Sequence, residues 1–252
     1  MNQIIDTIKE KLIEIEKREN IKILHCVESG SRAWGFPSPD SDYDVRFVYV
    51  RPKEYYLRLD KTRDVIEWQL DETLDINGWD LQKMLRLLHS SNPTVFEWKN
   101  SPIVYKTSDA WKSISGAVDD CFNAKSGIYH YVNMAKTNCR DYLKCDIVKL
   151  KKYFYVLRPL LACEYIRENQ KSPPMLFEDL LCYLGGEVKN EVLKLLDLKM
   201  KTSELDKGKA VTCINAYIDD KISEFDEYAK TIVGAPENDW DKLNDIFLAN
   251  IL

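Results

Sequence analysis

Apolar residues recur at Ile5, Ile8, Leu12 and Ile15 with charged residues between them, a helical period that predicts an amphipathic helix over residues 3–18. The pattern then changes. Ile21-Lys22-Ile23-Leu24-His25-Cys26-Val27 reads as a buried strand, Gly30 and Gly35 interrupt it with room for a short helix between them, and Pro37 and Pro39 fix an extended loop. A second strand runs from Asp42 to about Val50, a third covers 64–70, and Leu74-Asp75-Ile76-Asn77 is short and strand-like. Gly78 then opens a helix whose Leu81, Met84, Leu85 and Leu88 share one face, and Ser91-Asn92-Pro93 stops it. Farther on, strand signals fade and apolar residues keep helical spacing, punctuated by Pro173-Pro174 and Gly185-Gly186. The pattern predicts an α+β protein: an α/β domain over residues 1–105 and a helical domain over 106–252. No internal repeat or low-complexity segment interrupts it.

Composition narrows the class. A chain of 252 residues that is 45% hydrophobic buries a sizeable core and is not a disordered segment. The net charge of −5 does not advertise nucleic-acid binding for the whole chain. Charge is uneven, however: from Lys125 to Arg158 eight basic side chains face only Asp141 and Asp146. Such a run fits a polyphosphate or RNA partner, and solvated helix faces look the same. Seven cysteines, an odd number without CxxC spacing, predict reduced thiols in a cytoplasmic protein. His25, His89 and His130 show no zinc spacing with them and read as packing or surface residues. Tyr129-His130-Tyr131 reads as aromatic core more readily than as a base-stacking element. No apolar run approaches membrane-spanning length, so no membrane partner is expected.

The chemistry is concentrated in residues 29–50. Side chains alternate along a strand, so Asp42, Asp44 and Arg46 share one face, while Tyr43, Val45, Phe47 and Tyr49 line the other. The two carboxylates lie roughly 6–7 Å apart along the strand, within reach of one Mg²⁺ or a metal pair. A solvated strand start would carry the same pair, and Asp-x-Asp alone is common. The turn before it adds information. Gly30 lets backbone approach a phosphate closely, Ser31 adds a hydroxyl donor, and their N–H groups at a helix start favour an anion. Arg32 is placed for a bidentate phosphate contact or for solvent. In the helical half, Lys151 and Arg158, seven residues apart, project from nearly one side of a helix striped by Ile147, Leu150, Phe154, Leu157 and Leu161. They are candidates to hold a triphosphate tail or an RNA phosphate, and equally candidates to snorkel. Pro159 is expected to kink this helix.

Gly-Ser followed after a short gap by Asp-x-Asp on a strand resembles the DNA polymerase β-type nucleotidyltransferase superfamily. The longer strings Gly30-Ser31-Arg32-Ala33-Trp34-Gly35-Phe36 and Ser38-Pro39-Asp40-Ser41-Asp42-Tyr43-Asp44-Val45-Arg46 resemble its branch of bacterial and phage nucleotidyltransferases assigned to RNA repair. Asp75-Ile76-Asn77-Gly78-Trp79-Asp80-Leu81, Ser91-Asn92-Pro93-Thr94 and Leu157-Arg158-Pro159-Leu160 extend the likeness over most of the chain. The resemblance implies an N-terminal polymerase β-like domain with a small mixed sheet, followed by a helical domain contributing to the nucleotide and acceptor cleft. It also implies a third carboxylate on a neighbouring strand. Asp75, 31 residues after Asp44, is the choice, with Asp71 and Glu67 as rivals and Asp80 as a helix first-turn acid. The implied activity is transfer of a nucleoside monophosphate from an NTP such as ATP to a hydroxyl, with Asp42, Asp44 and Asp75 holding two Mg²⁺ (or Mn²⁺) ions. Gly30, Ser31, Arg32, Lys151 and Arg158 would serve the nucleotide. An RNA 3′ end is the implied acceptor. The alternatives are a protein hydroxyl, as in AMP-transferring antitoxins, and a nucleotide- or RNA-binding module without turnover.

Overall fold

The computed structural model describes residues 2–71, 73–202, 207–234 and 238–251. The chain forms two compact units, one of Met1–Ala33, Asp42–Cys121 and Glu237–Leu252, the other of Trp34–Ser41 and Phe122–Pro236.

The first unit is built on a five-stranded mixed sheet. In chain order it holds α1 (Asn2–Glu19), β1 (Lys22–Glu28), α2 (Gly30–Ala33), β2 (Tyr43–Val50), α3 (Lys53–Tyr56), β3 (Val65–Asp71), β4 (Leu74–Asp80), α4 (Leu81–His89), α5 (Pro93–Lys99), β5 (Val104–Thr107), α6 (Asp109–Asp120) and, after the second unit, α11 (Trp240–Ile251). The strand order is β3-β4-β2-β1-β5, with β2 and β4 parallel and the other pairs antiparallel. Ile8, Leu12 and Ile15 of α1 are buried against Val45, Phe47 and Tyr49 of β2, the two stripes the alternation predicts. Val48 and Val50 are buried too, and α4 packs on β2 and β4, so β2 is a nearly continuous apolar run.

Gly78 does not open a helix. It lies inside β4 opposite Phe47, and a Cβ there would come 2.1 Å from the Phe47 ring, so the missing side chain makes room for that ring. The helix begins three residues later. Asp80 ends β4 and caps α4, its carboxylate accepting from Gln82 N–H at 2.8 Å and from the Tyr56 hydroxyl at 2.9 Å. Burial pushes this carboxyl up to about 6, against the pull of those two hydrogen bonds. The folded protein therefore holds the proton more tightly than the unfolded chain, which gains it only near 3.8. The resulting stability is complete below the unfolded value and lost as pH rises through the folded one. Asp80→Asn keeps the cap and is neutral throughout. Its melting temperature relative to wild type should be highest above about pH 7 and decline toward about pH 4; a pH-independent difference would contradict the raised pKa.

The unit boundary lies at Cys121 and not at residue 105, because α6 packs on β1 and α5. The C-terminal helix also returns to this unit. Asn238 donates to the Leu88, His89 and Cys121 carbonyls, and Trp240 stacks on His89 at 3.7 Å. His25 stacks on Trp111 at 4.4 Å.

The second unit contains α7 (Ala124–Tyr142), β6 (Ile147–Lys149), α8 (Lys152–Asn169), a 3-10 helix (Glu178–Tyr183), α9 (Gly186–Lys201), β7 (Lys207–Lys209) and α10 (Thr212–Thr231). Its core centres on α8, where Phe154, Leu157, Leu160 and Leu161 are fully buried and Pro159 sits inside the helix. The segment Trp34–Ser41 belongs to this unit. Phe36 packs on Phe154 and Phe177, and Lys199 donates to the Phe36 carbonyl at 2.9 Å. Ile147 is no part of the α8 stripe; it lies on β6 and is half exposed.

Candidate active site

β1 and β2 are antiparallel neighbours, so the end of one meets the start of the other. Ser29 N–H donates to the Asp44 carbonyl at 2.8 Å, and Asp44 N–H donates to the Glu28 carboxylate at 2.8 Å. Gly30 follows at φ +60°, and an added Cβ would lie 2.1 Å from Asp44 Oδ2. Glycine is needed on both counts, because the backbone turns left-handed while pressed against a carboxylate. Ser31 and Arg32 continue in α2, which is only four residues long. Arg32 Nε donates to the Asp42 carbonyl at 3.0 Å, and its guanidinium lies 3.7 Å over the Tyr43 ring.

The parallel pairing of β4 with β2 puts Asp75 directly opposite Asp44. Arg46, two residues along β2, joins them: Nη2 donates to Asp44 Oδ1 at 2.9 Å and to Asp75 Oδ2 at 2.8 Å, while Nη1 donates to the Asp75 carbonyl at 3.0 Å. Asp42 is exposed just before β2. Glu67 is exposed on β3, and Asp71 lies outside the described side chains. Burial raises the Asp44 carboxyl, with Asp75 and Asp42 adding to the rise and Arg46 opposing it. Glu28 is completely buried and raised to about 6 by that burial, although the Tyr105 hydroxyl and Asp44 N–H both donate to it.

Hard oxygen donors on Asp42, Asp44 and Asp75 fit Mg²⁺ chemistry. Their present arrangement is closed by arginine: among the described residues no group of three His, Cys, Asp or Glu side chains is gathered tightly enough to hold an ion. Arg46 occupies one oxygen of each carboxylate, Asp44 Oδ1 and Asp75 Oδ2, and so competes with a divalent ion for this pair. Arg46 also makes the acid pair self-sufficient in the absence of metal. Chelation with EDTA should therefore shift the melting temperature by no more than about 2 °C, and a drop of about 10 °C would mean that an ion, not Arg46, holds these acids together.

Lys151 and Arg158 belong to the second unit. Lys151 is exposed at the N-cap of α8. Arg158 is 2% exposed, lies 5.0 Å over the Trp34 ring and donates to the Met175 carbonyl, so the two do not share a solvent-facing row. Position 158 falls where α8 is buried on nearly every side, which helical spacing alone does not reveal. The roles of Glu28 and Tyr105 are missed by sequence reasoning. Their one signal is a glutamate directly after the run Ile23-Leu24-His25-Cys26-Val27, which reads as a buried strand.

A mixed sheet that sets paired acids beside a glycine turn is the arrangement of polymerase β-type nucleotidyltransferases. The chain belongs to the RNA repair pathway DNA polymerase beta family, which it matches over residues 4–249. It is 42% identical over 252 residues to the uncharacterized protein YcgL of Bacillus subtilis (strain 168), covering 99% of this chain and 95% of that one. A nucleotidyltransferase-like protein from Exiguobacterium sibiricum 255-15, known from its crystal structure, aligns with 9% identity and a TM-score of 0.33 over 89% of this chain and 75% of that one. Among the described residues no helix is long and apolar enough to cross a membrane.

Proposed function

We propose that the protein transfers a nucleoside monophosphate from an NTP to the 3′ hydroxyl of an RNA. The observation that carries this reading is the register that sets Asp75 opposite Asp44, beside a Gly30 turn with no room for a side chain. The acceptor oxygen forms a bond to the α-phosphorus, the bond to the β-phosphate oxygen breaks, pyrophosphate leaves and the hydroxyl proton passes to water. Asp42, Asp44 and Asp75 would hold Mg²⁺ or Mn²⁺, which supplies charge neutralisation and a more acidic acceptor hydroxyl. Backbone N–H groups at Gly30 and Ser31 would receive the triphosphate, with Ser31 Oγ as a further donor. Glu28, itself held by the Tyr105 hydroxyl, would fix Asp44 by accepting from its backbone N–H. Positioning and electrostatics carry most of the rate in such a reaction, so no nucleophilic side chain is required.

The deciding experiment incubates the purified protein with each α-labelled NTP, Mg²⁺ or Mn²⁺, and either total RNA or cell lysate. Label on RNA supports the reading. Label on protein alone overturns the acceptor assignment, and no label with any NTP overturns the transfer itself.

A further inference from the structure

The basic run at 125–158 is thinned by folding. Lys136 pairs with Asp226 and Lys144 with Asp219, both on α10, and Arg140 pairs with Asp141. Of the rest, Lys149, Lys151 and Lys152 lie on or beside the small ribbon of β6 and β7, where the antiparallel register sets Lys149 opposite Lys207 and Ile147 opposite Lys209. Alternation makes the ribbon two-faced. Val148 is buried in the helical core and Gly208 packs on Leu150, while Ile147, Lys149, Lys207 and Lys209 all stand on the exposed face. Lys151 and Lys152 follow directly, with the Lys152 ammonium 4.1 Å over the Tyr142 ring and 4.5 Å over the Tyr155 ring. Among the described residues none of these five lysines makes an ion pair. In the described stretches 145–152 and 207–210 the one carboxylate is Asp146.

Like charges directly opposite on adjacent strands destabilise a sheet, and this ribbon is only three residues long on each side. A lysine pair closing one end of so small an element works against folding unless something neutralises it. We propose that the exposed face of the β6–β7 ribbon binds the phosphate backbone of a single-stranded RNA. Lys149, Lys207 and Lys209 contact successive phosphates, and Tyr142, exposed beside Lys152, offers a ring for an unpaired base. The proposal rests on the RNA-acceptor reading of the site and assigns that RNA a surface on the helical unit.

The test is fluorescence anisotropy with a 5′-labelled single-stranded 20-mer RNA, without NTP, over a salt series. The Lys149→Gln/Lys207→Gln/Lys209→Gln variant removes three positive charges and the cross-strand repulsion. It should melt at or above the wild-type temperature while RNA affinity falls about tenfold or more, and the slope of log affinity against log salt should shrink by about 2. A merely structural role would move stability and binding together. Failure of wild type to bind the RNA, or variant affinity within twofold of wild type at every salt concentration, overturns the proposal. So does tighter wild-type binding to phosphatidylserine vesicles than to RNA, which would make the face a membrane surface. Failure of the transfer reading looks different: RNA binding would persist and depend on these lysines, with no NTP label on any acceptor.

Discussion

Asp44→Asn should reduce NTP-dependent labelling by on the order of a thousandfold while leaving the melting temperature unchanged or slightly raised. The substitution keeps an oxygen that can accept from Arg46 Nη2, and it keeps the backbone N–H held by Glu28. It removes one negative charge from a cluster that contains Asp42 and Asp75 and that burial already disfavours. Electrostatic crowding therefore falls on folding, whereas affinity for a divalent cation, which depends on anionic oxygen, is lost. Labelling by the variant at the wild-type rate, with the fold verified by circular dichroism, would remove Asp44 from the chemistry and with it the proposed site.

The second large effect is expected from Gly30→Ala. At φ +60° the alanine is strained by about 1–2 kcal/mol, and its methyl would overlap Asp44 Oδ2, which lies 2.1 Å from the ideal Cβ position. The Asp44 carboxylate cannot rotate away at no cost, because its other oxygen is held by Arg46. Either Asp44 leaves Arg46 or the turn moves, and a displacement near 1 Å at a reacting centre costs about a hundredfold in turnover. Turnover should thus fall about a hundredfold with a loss of only a few degrees in melting temperature, measured on one preparation. Wild-type turnover in this variant would show that the Gly30 turn lies outside the reaction.

Much of the first unit is legible in the sequence because its elements obey simple periods. The helical spacing of Ile8, Leu12 and Ile15, and the alternation through Val45, Phe47 and Tyr49, mark α1 and β2 to within a residue or two. Gly78 misleads because glycine is read as punctuation, whereas here its lack of a side chain admits the Phe47 ring. The ribbon of β6 and β7 escapes because three-residue strands rich in lysine carry no apolar alternation, and the pairing spans 58 residues of chain between Lys149 and Lys207. At the candidate site, Asp42, Asp44 and the Gly30 turn are local and therefore readable. The facing of Asp75 on Asp44 is a matter of parallel register, which no local signal encodes. Arg46 is placed on the acidic face by alternation, but that it bridges both acids depends on β4 lying alongside.

The ownership of Trp34–Ser41 has a practical outcome. The chain passes between the two units four times, at 33/34, 41/42, 121/122 and 236/237. No single cut can therefore release an intact sheet unit. A fragment ending near residue 121 would strand Phe36 without Phe154 and Phe177, and would leave His89 without Trp240. Proteolytic dissection at 121/122 should therefore yield insoluble pieces instead of independent halves.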